Sequence, residues 1–160
     1  MELVILAFAF LGLATSTEAT YRALDTMIGS QNQPLSSKAS VPGTFLLYRA
    51  AILSFVDAHP GFTGSVAATD LGFTDAQIAA LAGGGNEVIR SGNGTTIQTW
   101  VPMSASDIER AVATSQGDMA IGTSQGTTWT SPIAGDMGAL PVAVASGDAV
   151  SVVTLTGSGF

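Results

Sequence analysis

The run from Thr44 to Gly61, TFLLYRAAILSFVDAHPG, limits what this chain can fold into more than any other stretch. Phe45, Tyr48, Ile52, Phe55 and Val56 recur at steps of three and four residues, which places them on one face of a helix. Arg49 falls at the edge of that face and Asp57 well off it, where a charge stays wet. The chain comes in through Val41-Pro42-Gly43 and leaves through His59-Pro60-Gly61, where the Pro-Gly pair stops the helix. The residues ahead of this helix read as a membrane lead, and those beyond it as a small folded head.

The lead begins with LVILAFAFLGLA, Leu3 to Ala14, twelve residues without a charge or strongly polar group. Its large apolar side chains are Leu3, Val4, Ile5, Leu6, Phe8, Phe10, Leu11 and Leu13. Thr15, Ser16 and Thr17 extend the uncharged run to 15 residues, and Glu18 is the first charge that must reach water. Against the ~20 residues that span a bilayer core this is short. The expectation is a retained anchor whose ends sit among the headgroups. A cleaved signal peptide is the rival reading: Ala14-Thr15-Ser16 offers small residues for cleavage, but Met1-Glu2 brings no cation to the n-region. A soluble core helix is the third. Tyr21, Leu24 and Ile28 continue a helical stripe, and GSQNQPLSSKAS, Gly29 to Ser40, reads as a linker. The expected organisation is an N-terminal hydrophobic helix over 1–28, a linker over 29–40 and a folded domain over 41–160.

Within the head, Thr74-x-x-Gln77 is a capping-box pattern for a short helix through Leu81, and Gly83-Gly84-Gly85 stops it. Glu87 to Arg90 and Thr96 to Val101 read as half-buried strands around Ser91-Gly92-Asn93-Gly94, whose Asn-Gly pair suits a hairpin turn. Ser104 or Ser106 caps a helix running to about Thr114, with Ile108, Ala111 and Val112 as its apolar stripe and Asp107 and Glu109 in its first turn. Met119 to Gly122 and Thr127 to Thr130 form a second strand pair across Ser124-Gln125-Gly126. Pro132 to Pro141 reads as a loop, and Val150 to Thr156, dense in β-branched residues, as a closing strand. The predicted class is α+β: an N-terminal hydrophobic helix followed by a small head with an antiparallel sheet and two or three helices.

The chemistry is sparse. There is no cysteine, which excludes disulfides, thiolate metal sites and cysteine nucleophiles. Five basic residues against twelve acidic ones give a net charge of −7, and Arg22, Lys38, Arg49, Arg90 and Arg110 are scattered singly. That argues against nucleic acid, whose phosphates need clustered cations. His59, the one histidine, stands before Pro60, and Asp57 two residues away points to another helix face. A helix-end role is therefore favoured over a catalytic one, which needs both a nucleophile and an orienting carboxylate. Gly83-Gly84-Gly85 comes after a helix and lacks the Gly-Lys-Ser/Thr of a phosphate loop, and no D-x-D-x-D-G calcium loop occurs. Trp100 and Trp129 read as core packing before ligand platforms. The residues point to no enzyme, no cofactor and no small-molecule substrate.

Three places carry a family resemblance. The first is the charge-poor hydrophobic N-terminus. The second is Leu47-Tyr48-Arg49-Ala50-Ala51, followed by Asp57-Ala58-His59-Pro60-Gly61 and Thr63-Gly64-Ser65-Val66. The third runs from Ala111-Val112-Ala113 through Met119-Ala120-Ile121-Gly122 to Ser131-Pro132, with Gly138-Ala139-Leu140-Pro141 before Gly147-Asp148-Ala149-Val150. In these the chain resembles the PilM-type proteins of conjugative type IVB (thin) pilus systems, with their L-Y-R-N-A-V helix, N-P-G stop and I-P-D-G-A-V ending. It departs from them in the order of Gly147 and Asp148, and in the uncharged turn Ser124-Gln125-Gly126, which carries charges in the family.

The resemblance implies an envelope component required for thin-pilus biogenesis, at the bacterial inner membrane with its C-terminal domain in the periplasm and no known enzymatic activity. The implied partners are other type IV pilus assembly proteins or pilins. Tyr48 and Arg49 are the candidate interface residues, because aromatics and arginine dominate interface energetics. For both, core packing and a local ion pair are the plainer reading. The alternative function is a minor pilin-like subunit of the filament, although Ile5 stands at the fifth position, where a pilin carries glutamate.

Overall fold

A computed structural model of the chain describes residues 40–156 apart from Asn93. The expected anchor residues Leu3 to Leu13 and the expected linker as far as residue 39 lie outside the described residues, as does Asn93 of the expected hairpin turn. The organising helix, α1, spans Val41–Ala58 and so begins three residues before the apolar spacing predicts. Pro42 lies in its first turn rather than ahead of it. Proline is at ease there, since a first-turn N–H has no helical acceptor to lose. At the far end the His59 N–H reaches the Phe55 and Val56 carbonyls and closes the helix.

A 3-10 turn at Ala68–Leu71 comes next, then the short helix α2, Asp75–Ala80. The expected capping box is in place: the Gln77 N–H donates to the Thr74 hydroxyl, and the Thr74 N–H donates to the Gln77 side-chain carbonyl at 2.9 Å. The strands are β1 (Gly85–Ser91), β2 (Gly94–Val101), β3 (Ile121–Ser124), β4 (Thr128–Ser131), β5 (Gly135–Ala139) and β6 (Ala149–Leu155). Helix α3, Ala105–Thr114, joins β2 to β3 and is capped by Ser104. The six strands form one sheet in the order β1-β2-β6-β3-β4-β5, and every pairing is antiparallel. This is the expected α+β head.

One expected loop is a strand. Within Pro132 to Pro141, Gly135–Ala139 pairs with β4 through a register shift between Thr128 and Thr130. Its sequence, GDMGA, has no β-branched residue and every position is exposed, so neither propensity nor alternation marks it. Gly135 and Gly138 both take positive φ, and the Gly138 N–H donates to the Asp136 carboxylate at 2.9 Å.

The sheet is covered on both faces. On one, α1 and α3 pack Phe45, Tyr48, Ile52, Ile108, Ala111 and Val112 against Val88, Ile97, Val101, Ile121 and Ala149. The apolar stripe predicted for α3 is buried in full. By length and composition alone α1 could cross a membrane. Its face of Phe45, Tyr48, Ile52 and Val56 is buried in the core of the head. On the other face Trp129, Leu140, Val144 and Val150 form a second cluster, covered by the segment between β5 and β6. Side chains fasten that segment down. The fully buried Gln98 donates its amide N–H to the Val142 carbonyl and accepts the Val142 N–H, both at 2.9 Å. Ser124 Oγ donates to the Val144 carbonyl at 2.9 Å.

Thr99 and Ser151 face one another across β2 and β6 on the helix-covered side, and neither buried hydroxyl has a hydrogen-bond partner. An unpaired hydroxyl forfeits its hydration without return. Thr99→Val keeps the shape and removes the loss. The expected result is stabilisation by ~1 kcal/mol, read as a raised midpoint of urea unfolding with an unchanged slope.

Asp148, in the turn before β6, has its carboxyl pushed above the ordinary aspartate range by partial burial. Folding thus favours the neutral form. That contribution is complete below the ordinary aspartate value and is lost as pH rises through the raised one. Asp148→Asn holds the neutral form at every pH. Its melting temperature is expected to exceed the parent's by about 1 °C at pH 7, solvent screening keeping the effect small, and to match it near about pH 3.

Candidate functional site

An open cleft of about 700 Å³ runs along the outer edge of the sheet where β1 begins. Its walls come from separate parts of the chain: Tyr48 of α1, Val66 and Asp70 of the segment before α2, Ile78 and Leu81 at α2, Gly84 to Glu87 at β1, and Trp100 of β2. Gly85 is opposite Trp100 in the β1–β2 ladder, and the indole lies over it. A Cβ on Gly85 would stand 2.6 Å from the ring, so the bare backbone is what lets the indole close down.

Asn86 organises the site. It is buried on a strand whose neighbour on the same face, Val88, belongs to the core. Its side-chain amide acts as a substitute peptide group for the facing segment, accepting the Val66 N–H at 2.9 Å and donating to the Val66 carbonyl at 2.7 Å. The same amide donates to the Tyr48 hydroxyl. Next to it, Gly64 and Val88 exchange two backbone hydrogen bonds, both 2.9 Å, so the segment is pinned to the edge of β1. Burial pushes the Tyr48 hydroxyl above the usual tyrosine range, against the opposing pull of the Asn86 hydrogen bond. The phenol stays neutral at physiological pH. Its ring meets Phe73 edge-on at 5.8 Å.

The two residues singled out as candidate interface residues are not free surface. Tyr48 is 4% exposed and sits in the core, touching the cleft from below. Arg49, its side chain 17% exposed, is paired with Asp118 at 2.7 Å, which ties α1 to the turn before β3. The second oxygen of Asp118 accepts the Ala120 N–H at 2.9 Å and fixes that turn. Both positions thus obey the plainer reading. Asn86, Asp70 and Glu87 carry no mark of a site in the sequence.

His59 is exposed at the end of α1, its Nδ1 at 2.8 Å from the Phe55 carbonyl and its ring stacked on Phe55 at 4.1 Å. It is not part of the cleft. Among the described residues no three His, Cys, Asp or Glu side chains come together as a metal site. Trp129 is buried in the second cluster; Trp100 is partly exposed, packs against that same cluster and also lines the cleft.

The fold and cleft define a class, a small α+β head in which helices cover one face of a six-stranded antiparallel sheet and leave an open groove at its first strand. The same fold occurs in the crystal structure of a protein described as PilM from Escherichia coli B7A. That match has a TM-score of 0.51 at 12% identity, over 71% of this chain and 88% of the other. The PilM family model matches residues 14–152, and the chain belongs to this pilus-related family. No curated protein matches it.

Proposed function

We propose that this protein is a non-enzymatic envelope component required to build the type IV (thin) pilus of conjugation. In this reading it is held at the bacterial inner membrane, with the α+β domain in the periplasm, and docks onto other assembly proteins or pilins. It uses no cofactor and no small-molecule substrate. The observation that carries the reading is the family match over residues 14–152, which takes in most of the chain. The uncharged run Leu3 to Thr17 supports the membrane attachment.

The test is to shear pili from producing cells and track the protein by immunoblot. Retention in the inner-membrane fraction, with release only by detergent, is the expected result. Recovery in the sheared filaments would replace the assembly role by that of a minor pilin-like subunit, a reading to which a helix packed on an antiparallel sheet also lends itself. A soluble periplasmic pool would make Leu3 to Ala14 a cleaved signal.

A further inference from the structure

We infer that the cleft beside β1 receives an extended segment of a partner protein, in which lysine or arginine alternates with apolar side chains. The proposal rests on the docking reading for where the partner comes from, and on the cleft itself for what the partner must look like.

The geometry comes first. β1 is the outermost strand of its sheet, and an outer strand offers backbone groups to a further strand. Gly64 takes up that edge at Val88. Beyond it Val66 is held by the Asn86 side chain and the Gly84 N–H is given to the Leu81 carbonyl, and the cleft opens beside Gly84 to Glu87. Val66, Ile78, Leu81 and Trp100 give it apolar lining for the alternate side chains of an extended segment.

Charge then selects the occupant. Asp70 is exposed and Glu87 partly so, both line the cleft, and among the described residues no Lys, Arg or His does. Among the described residues neither carboxylate forms an ion pair; the two pairs there are Arg49 with Asp118 and Arg110 with Asp107. Arg90, the other cation among the described residues, donates to the Phe62 carbonyl at 3.1 Å and to the Thr95 hydroxyl at 2.8 Å. The three guanidinium groups among the described residues are thus committed elsewhere, and a basic partner segment supplies the counter-charge. A nucleic acid or an anionic lipid surface would meet repulsion here, and an acidic peptide likewise.

The test uses the full-length chain and two synthetic probes, acetyl-Leu-Lys-Val-Lys-Leu-amide and its counterpart with glutamate in place of lysine. The indole N–H resonances of Trp100 and Trp129 are monitored by NMR and assigned with Trp100→Phe. The lysine peptide is expected to shift the Trp100 signal in a saturable way and to move Trp129, in the cluster behind it, less. Affinity is expected to fall about tenfold or more for the glutamate peptide, and similarly for the double variant Asp70→Asn with Glu87→Gln. Both substituted side chains reach solvent, so an unchanged melting temperature verifies that the variant is folded. Equal shifts from both peptides would overturn the charge selection. No saturable shift up to about 5 mM, or one confined to Trp129, would overturn the site. These readings need no pilus. A deletion strain that still assembles pili would remove the docking role and leave the cleft result standing.

Discussion

Gly122→Ala is expected to cost this domain about 3 kcal/mol or more, a large part of the stability such domains have. Gly122 is buried on β3, and the backbone of β4 crosses directly over the space a side chain would take. An added Cβ would lie 2.1 Å from the Thr130 carbonyl oxygen, 2.8 Å from its carbon and 3.0 Å from the Ser131 Cα. All three are backbone atoms, so no rotamer change relieves the clash. Relief requires β3 and β4 to part, which strips Trp129 and its neighbours of their packing. Urea unfolding monitored by circular dichroism gives the measurement. Gly61→Ala is the comparison, because Gly61 has a φ of +102° with nothing near its Cβ. Only backbone strain remains there, ~1–2 kcal/mol. Equal losses in the two variants would mean that the Gly122 contact is relaxed in solution.

The second large effect is at Asn86. Asn86→Leu preserves bulk but removes every polar contact of the amide. The Val66 N–H and carbonyl lose their partners at 2.9 and 2.7 Å, and the Tyr48 hydroxyl loses its donor. These groups are buried or half-buried, so the expected cost is ~3 kcal/mol. Thermal unfolding would show it as a lowered midpoint. Because the segment around Val66 forms one wall of the cleft, fluorescence of Trp100 is expected to change before global unfolding, as that wall detaches. A loss under about 1 kcal/mol would show that water entering through the cleft replaces the amide.

The elements most legible in the sequence are those whose burial has a short period. Phe45, Tyr48, Ile52 and Val56 on α1, and Ile108, Ala111 and Val112 on α3, show their inward faces by spacing alone. Thr74 and Gln77 announce their helix through a local capping exchange. The start of α1 is ambiguous in sequence because Pro42 serves equally well as a break or as a first-turn residue. β5 leaves no trace there because it is held by backbone pairing to β4 and buries none of its side chains.

The cleft is least legible of all. Asn86 stands 38 residues from Tyr48 and 20 from Val66, so their meeting is a product of the tertiary fold with no local pattern to betray it. Tyr48 draws notice for its residue type, and the structure assigns it to the inside of the site's wall.

The strand order carries a consequence for how the domain comes into being. β6 is the last of the described strands, yet it lies between β2 and β3, and both of its edges are paired. Until residue 149 is available the earlier strands are two separate ribbons, β1 with β2 and β3 with β4 and β5, with no ladder to join them. The sheet therefore becomes one piece only when β6 enters, like a zip whose slider is fitted last.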